Sequence, residues 1–450
     1  MKVLVTGATG LIGQRLCKEL LKENHKLVIV GRGSEEQFRK KFTLPCEYHS
    51  WSNLDVSGVQ AVFHLAGESI AGGRWNKARK DSLLRSRIET TKKLIKAFDG
   101  QWPETFIGAS AIGYYGDQGS TKLYEDSPPG NNFLSTVCKE WEMSSQAFDS
   151  KSRVVRFRIG VVFDSNGGFL EPMETLFSLG LGGRISHGNQ FLSWIHAQDL
   201  INMFIFALKN PIRGTFNAVA PQPITNKEWT SLFVKTMKTI PSLPVPRIAL
   251  KLVLGEMSCL ALDSQNVSCE KILNHGFQFE FPKANQALLN LYQWKNKYTE
   301  QFFSAEQWVS SNRENIFPFF SESKNLEKIT PPWLNFKIIS QSTEHISKGT
   351  LIDYQISLKG LPMKWRTRIT KWDPPRQFVD DQLKGPYKKW HHTHSFESFP
   401  NGTLMTDSVV YELPFGFIGK ILASAYIKKD ITKIFSYRRK IINQLKDQWK

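Results

Sequence analysis

The chain has 450 residues, with 59 Lys and Arg against 41 Asp and Glu, and a formal charge of +18. That length exceeds one ordinary hydrophobic core and predicts two or three domains. The positive excess is spread along the chain, with 36 basic against 27 acidic residues in 1–300 and 23 against 14 in 301–450. Its one concentration is a helical face carrying Lys428, Lys429, Lys433, Arg438, Arg439, Lys440, Lys446 and Lys450. No aromatic stacking pattern accompanies that face, so it reads as solvated and no nucleic acid is expected as a partner.

Five cysteines, Cys17, Cys46, Cys138, Cys259 and Cys269, are odd in number and scattered. They suggest neither a disulfide framework nor a zinc site, and so a reducing cytoplasm. No run of eighteen apolar residues lacks a charge, which predicts no transmembrane span. The first strand begins directly after Met1-Lys2, so no signal peptide is expected.

That strand, Val3-Leu4-Val5, runs into Thr6-Gly7-Ala8-Thr9-Gly10-Leu11-Ile12-Gly13 and an amphipathic stretch to Glu23, and a second β-rich run, Leu27 to Val30, follows. Strand, glycine turn, helix and strand make a βαβ unit. Gly7 serves the tight turn, Gly10 lets backbone approach a pyrophosphate, and Gly13 allows close helix packing, while the helix N-terminus attracts phosphate charge. The second strand ends in Gly31-Arg32-Gly33, where a carboxylate would bind a ribose 2′-hydroxyl. Arginine suits a 2′-phosphate instead, and the expected cofactor is NADP(H).

A short polar crossover then precedes the buried strand Ala61 to Gly67. A helix from Lys77 to Phe98, a strand from Phe106 to Ser110, a turn-rich stretch from Gly113 to Asn132, a helix through Val137, Trp141 and Phe148, and a strand from Val154 to Phe163 follow. Alternation of this kind predicts an α/β, doubly wound, mostly parallel sheet with ligand at the C-terminal strand ends.

The chain here resembles the extended short-chain dehydrogenase/reductase superfamily, in its atypical epimerase-like branch. The resemblance rests on His64 to Ile70, Gly73-Arg74-Trp75, Ser86 to Thr91, Ser110 to Gly116, Trp141-Glu142, Arg158 to Val162, Gly188-Asn189-Gln190, Ser193 to His196, Asp199-Leu200 and Asn217 to Pro221. It covers about residues 1 to 294. The resemblance implies cofactor contacts from Gly7, Thr9, Gly10, Leu11, Ile12, Gly13, Arg32, His64, Leu65, Ala66, Gly67, Arg87, Ser110 and Arg158. It also implies a second lobe whose Arg184, Gln190, Trp194, His196 and Asp199 line a substrate cleft, with His196 and Asp199 able to hydrogen-bond.

The superfamily's redox members carry Tyr-x-x-x-Lys on the helix after the fifth strand. With Trp141-Glu142 as anchor, those positions are Leu134 and Cys138, and the serine position is Ala111, beside Ser110. Ser110, Tyr114, Tyr115 and His196 are the remaining catalytic candidates. Two functions stay open: an NADP(H)-dependent epimerase or oxidoreductase with a different proton relay, or a catalytically inactive NADP(H)-sensing regulatory or scaffold protein.

Domains are expected at 1–239 (cofactor fold with substrate lobe), 240–294 (helical cap, with helices at 248–262 and 277–291) and 298–450. The last is read as a strand at Gln301 to Phe303, a helix at Ala305 to Glu314, six alternating strands from Phe336 to Glu412, and a closing helix from Phe417 to Leu445. The apolar stripe of that helix is Ile421, Ala425, Ile431, Ile434, Ile441 and Leu445. This order resembles the START-like helix-grip superfamily of polyketide cyclases and lipid carriers, on Gly385-Pro386-Tyr387, Trp390 to Phe396, Gly402-Thr403 and Asp407 to Tyr411. Trp365, Trp372, Trp390, Phe396 and Tyr411 are expected to line a cavity for an apolar ligand. His391, His392 and His394 invite a metal, but with no carboxylate in sequence nearby none is expected.

Overall fold

The computed structural model describes residues 1–240, 243–358 and 360–449, and for 358, 417, 418, 420–422, 425, 446 and 447 the backbone alone. It divides into two compact units, Met1–Gln293 and Trp294–Lys450.

The first unit is built on a seven-stranded parallel sheet: β1 (Lys2–Thr6), β2 (Lys26–Gly31), β3 (Glu47–Ser50), β4 (Ala61–His64), β5 (Thr105–Ala111), β6 (Arg153–Ile159) and β7 (Gly214–Ala218). Their spatial order is β7-β6-β5-β4-β1-β2-β3, the doubly wound arrangement. Both faces are covered, so Val3, Leu4 and Val5 and then Leu27 to Val30 are continuously buried instead of alternating. Leu4, Val28, Val62, Phe106 and Val154 share one core with Leu94 of the Lys77–Ala97 helix and with Phe98, which caps its C-terminus.

Three local expectations are corrected. The crossover after Arg32 is not merely polar connection: it holds the Glu35–Arg39 helix and β3, whose Glu-Tyr-His-Ser run carries no apolar alternation because it is an edge strand. The expected strand from Val154 to Phe163 breaks at Gly160, and Val161–Phe163 pairs with Trp194–His196 outside the main sheet. A Cβ at Gly160 would lie 2.6 Å from the Ser193 carbonyl, so the crossing segment requires glycine there. In the cap, helices occupy Arg247–Leu254, Cys259–Leu262, Glu270–Asn274 and Ala284–Leu291. Residues 277–283 are not helical; Pro282 disfavours the helical conformation at Phe281.

The second unit is a seven-stranded antiparallel sheet: β8 (Gln301–Val309), β9 (Lys337–Gln341), β10 (Leu351–Leu358), β11 (Leu361–Asp373), β12 (Gln377–Lys384), β13 (Lys389–Phe399) and β14 (Gly402–Glu412), in the order β8-β14-β13-β12-β11-β10-β9. The expected helix at Ala305 to Glu314 is instead the second half of β8, paired residue for residue with β14 from Gln301↔Tyr411 to Val309↔Thr403. Helix begins only at Arg313–Phe320. The Gly416–Leu445 helix packs on the sheet through Ile431, Phe435, Arg438 and Ile442; of the other expected positions Ile441 and Leu445 are partly buried against the same core, and Ile434 is partly buried. The side chains of Ile421, Ala425 and Lys446, and residue Lys450, lie outside the described residues. No described helix is long and apolar enough to cross a membrane.

Candidate functional site

The turn after β1 is shaped by contacts only glycine tolerates. Gly7 has φ 74°, and a Cβ on it would lie 2.8 Å from the Leu65 carbonyl; a Cβ on Gly13 would overlap the carbonyl of Gly7. Gly10 N–H donates to Gly7 O at 3.0 Å, and Gly10 caps the Leu11–Lys22 helix with no side-chain partner. The first helical N–H groups therefore lack intrahelical acceptors and face an open cleft. That cleft, about 1090 Å³, is lined by Gly7, Thr9, Gly10, Leu65, Ala66 and Gly67, and also by the basic residues Arg32, Lys40, Lys41, Arg85 and Lys93. The Arg32 side chain is 84% exposed, with Glu68 Oε1 3.8 Å away. Leu11, at the helix start, lies against the Gly167-Gly168 loop, within 3.3 Å of where a Gly168 Cβ would stand.

His64 and Arg87, expected at the cofactor, lie beneath the cleft. Leu65 and Ala66 N–H donate to Thr6 Oγ1 at 3.1 and 3.0 Å. With its lone pairs taken, the Thr6 hydroxyl donates to His64 Nδ1 at 2.8 Å, which leaves the imidazole proton on Nε2 for Thr91 Oγ1 at 2.9 Å. Thr91 in turn donates to Arg87 O at 2.8 Å. Burial, with the Arg87 charge adding to it, pushes the His64 pKa down to about 3, so the ring is neutral. Arg87 is buried too, donating to Leu83 O and Glu68 O at 2.9 and 3.1 Å and stacking 4.8 Å from the Trp141 ring. Both side chains fix the loop after β4.

Ser110, Tyr115 and Arg158 are brought together around the carboxylate of Glu142, which the sequence marked as a motif and register position but not as a site residue. Arg158 forks onto Glu142, both N···O distances 2.9 Å, and donates to Tyr115 Oη at 3.0 Å and Glu125 O at 2.9 Å. Ser110 donates to Glu142 Oε1 at 2.6 Å, and Tyr115 to Asn217 Oδ1 at 2.6 Å. Tyr114 lies on the Arg158 guanidinium, 3.4 Å from ring centre to Cζ. Burial drives the Tyr115 phenol up to about 12 even against the neighbouring Arg158. Burial opposes the Arg158 charge, yet the Glu142 carboxylate holds its pKa above the ordinary value. Each of these donors already has an acceptor within the group. Facing them, a Cβ on Gly113 would lie 3.3 Å from Leu134 Cβ and 3.7 Å from Cys138 Sγ. An apolar side chain and a buried thiol thus flank the turn after β5.

The expected second-lobe cleft residues mostly hold that lobe together. Trp194 is fully buried, stacked on Phe163 at 5.0 Å and donating to Gln222 O at 3.0 Å. Asp199 is also fully buried and accepts from the N–H groups of Glu280 and Phe281 at 2.8 and 3.0 Å. The expected His196–Asp199 pair does not form: His196 Nδ1 caps the Ala197–Lys209 helix by accepting from Gln198 N–H at 3.1 Å, and burial lowers its pKa to about 4. Gln190 is buried with its amide directed at Ile185 O and Ala261 O, and Arg184 packs over Gly188.

In the second unit the five expected cavity aromatics divide between two clusters. Trp372 and Phe396 pack with Phe317 and Phe378, whereas Trp365, Trp390 and Tyr411 gather around Tyr387. Between the clusters lie His392 and His394, on the face of β13 that the Gly416–Leu445 helix covers; His391, on the other face, pairs with Asp381 at 2.6 Å. The expectation that no carboxylate stands near these histidines is wrong. Register places Asp380 opposite His392 and Asp407 opposite His394. Sequence separation concealed both, since each comes from a neighbouring strand.

Comparison with known proteins gives three matches along the chain: the NAD dependent epimerase/dehydratase family over residues 3–218, a domain of unknown function (DUF1731) over 245–291, and polyketide cyclase/dehydrase and lipid transport over 310–433. The chain is 36% identical over 299 residues to the chloroplastic epimerase family protein SDR39U1 homolog of Arabidopsis thaliana, covering 64% of this chain and 86% of that one. It is 34% identical over 289 residues to an epimerase family protein of Mycobacterium bovis, covering 96% of the latter. Among solved structures, human epimerase family protein SDR39U1, crystallised with NADPH, superposes with a TM-score of 0.60 at 32% identity, over 65% of this chain and 99% of that one. A nucleoside-diphosphate sugar epimerase of Corynebacterium glutamicum superposes at 0.53 with 29% identity, over 66% and 59% respectively. With a parallel doubly wound sheet, a glycine-shaped helix N-terminus and the Arabidopsis and Mycobacterium relatives matched over 86% and 96% of their length, the chain belongs to the epimerase family, and its second unit carries a polyketide cyclase and lipid-transport fold.

Proposed function

We propose that the first unit binds NADP(H), that it does so without the Tyr-Lys relay of the redox members of its superfamily, and that the second unit receives an apolar ligand. The observation that carries the cofactor reading is the exposed Arg32 at the end of β2, where a carboxylate would select NAD(H), in the same cleft as the glycine turn and the open helix N-terminus. The human relative crystallised with NADPH supports it. A guanidinium can take the 2′-phosphate with paired charge-assisted hydrogen bonds. When bound, the nicotinamide would supply hydride chemistry; the glycine turn and helix N-terminus of this chain would hold the pyrophosphate, with the loop after β4 kept in place by Thr6 and Arg87.

The second reading, a cofactor-sensing protein without turnover, is favoured by Leu134 and Cys138 facing Gly113 and by the committed hydrogen bonds of Ser110, Tyr115 and Arg158. Five free cysteines support a reducing, cytoplasmic setting. The domain reading of 1–239, 240–294 and 298–450 belongs to the same proposal.

Fluorescence titration of the full chain tests the cofactor. NADPH should bind at least tenfold more tightly than NADH, a difference of about 1.4 kcal/mol, and Arg32→Asp should remove the preference. Equal affinities in the unaltered chain would sink the assignment. A panel of carbonyl and nucleotide-sugar substrates then separates the two readings: turnover with NADPH supports the enzyme, and tight binding without turnover supports the sensor.

A further inference from the structure

Four elements of the second unit bring charged or metal-ligating side chains to one buried point: β12 gives Asp380, β13 His392 and His394, β14 Asp407, and the Gly416–Leu445 helix Arg438. All but Asp380 are in the most buried class, and the Asp380 carboxylate is mostly covered. Asp380 Oδ2 is 3.1 Å from His394 Nε2 and 3.6 Å from His392 Nδ1. Asp407 Oδ1 is 2.7 Å from His394 Nδ1 and 3.2 Å from His392 Nε2. Arg438 reaches Asp407 at 3.4 Å.

Counting protons shows what is missing. Four imidazole nitrogens face carboxylates, three within hydrogen-bond distance and His392 Nδ1 at 3.6 Å, but two neutral imidazoles carry only two N–H groups. Protonating both would place two cations with ring centres 3.8 Å apart in an apolar setting, between Phe378 stacked 4.2 Å from His394 and Phe435 5.7 Å from His392. With fewer protons, a nitrogen lone pair is left pointing at a carboxylate. His394 Nε2 is within hydrogen-bond distance of Asp380 and His392 Nε2 of Asp407, while His394 Nδ1, although 2.7 Å from Asp407 Oδ1, has no hydrogen-bond partner among the described residues. A cation on the Asp380 side removes the conflict. It takes the lone pairs of His392 Nδ1 and His394 Nε2 together with Asp380 Oδ2, and frees the opposite N–H groups to face Asp407. The three groups offer ligand atoms within 4.8 Å of one another.

We propose that Asp380, His392 and His394 bind a divalent first-row transition-metal ion, with Asp407 orienting both imidazoles from behind. Two imidazoles and one carboxylate suit zinc, iron, cobalt or manganese and leave coordination positions for an exogenous ligand. Asp407 is the outer carboxylate that such histidines need to fix ring and tautomer, and Arg438 balances its charge. None of this depends on the nucleotide reading of the first unit.

Cobalt(II) chloride titrated into the full chain, purified without chelator and kept reduced, provides the test. One Co²⁺ per chain should bind, with visible d–d bands that zinc displaces. X-ray absorption of the cobalt protein should show imidazole and carboxylate donors and no sulfur. Asp380→Asn and His394→Gln should each weaken binding at least 100-fold, and Asp407→Asn by roughly 10- to 100-fold with the stoichiometry kept. His391→Gln, on the other face of the strand, should change nothing. The proposal is overturned if the unaltered chain takes up no cobalt below about 100 µM, or if the bands are those of a thiolate complex. Folded Asp380→Asn protein, checked by circular dichroism, that binds as tightly as the parent would overturn it as well.

Discussion

His64 shows how a residue quoted for cofactor contact can serve the cleft from below. Its ring is held neutral between Thr6 and Thr91, and its pKa of about 3 lies well below the ordinary value near 6.5. Between those two pH values the unfolded chain binds a proton that the folded chain refuses. Stability from this residue is therefore complete well above pH 6.5 and falls as the pH drops toward 3, by about 2 kcal/mol on going from pH 8 to 5. Urea unfolding of the full chain should show that fall for the first transition, and His64→Asn should flatten it by that amount even though the variant is weaker at pH 8. An unchanged slope would mean that His64 is not the group responsible. The same residue explains what sequence reading could see here: Gly7 and Arg32 announce their roles through local context, whereas whether His64 faces the cofactor or the core depends on Thr91, 27 positions later.

At the scale of elements, the helix Phe133–Ser144, β5 and β6 are tied by the Glu142–Arg158 pair, with Ser110 and Tyr115 completing its hydrogen bonds. Removing one partner of a buried pair leaves an uncompensated charge, which costs roughly 3–5 kcal/mol, while removing both costs much less. Glu142→Gln should accordingly lower the first unfolding transition strongly, and Glu142→Gln with Arg158→Met should recover part of the loss. If the double variant is simply the sum of the singles, the two side chains are not coupled as described. Tyr114→Phe should leave NADPH affinity nearly unchanged, because the ring face and not the hydroxyl meets Arg158. The sequence displayed most of these elements through periodicity. It hid β3, whose polar residues lie on an edge, and it turned half of β8 into helix because Ala305, Glu306 and Gln307 are good helix formers until β14 pairs with them.

At the scale of the molecule, the same limit recurs: whatever depends on register between distant strands was not legible. The doubly wound order followed from strand and helix alternation, but Asp380 and Asp407 could meet His392 and His394 only through the antiparallel ladders. Each unit has its own core, with Leu4, Phe98 and Phe106 in the first and Phe317, Phe396 and Ile442 in the second. Each is long enough to unfold cooperatively alone. Calorimetry of the full chain should thus resolve two transitions. NADPH at about 100 times its dissociation constant should add roughly 2.7 kcal/mol to the first and nothing to the second. A fluorescent fatty acid should do the reverse, and Trp390→Glu, which puts a charge beside Trp365, Tyr387 and Tyr411, should abolish its uptake while leaving the NADPH effect intact. A single transition that moves as a whole with NADPH would show that the units do not unfold separately. Two clean transitions with no response to the fatty acid would instead refute the apolar-ligand role and leave the two-unit reading standing.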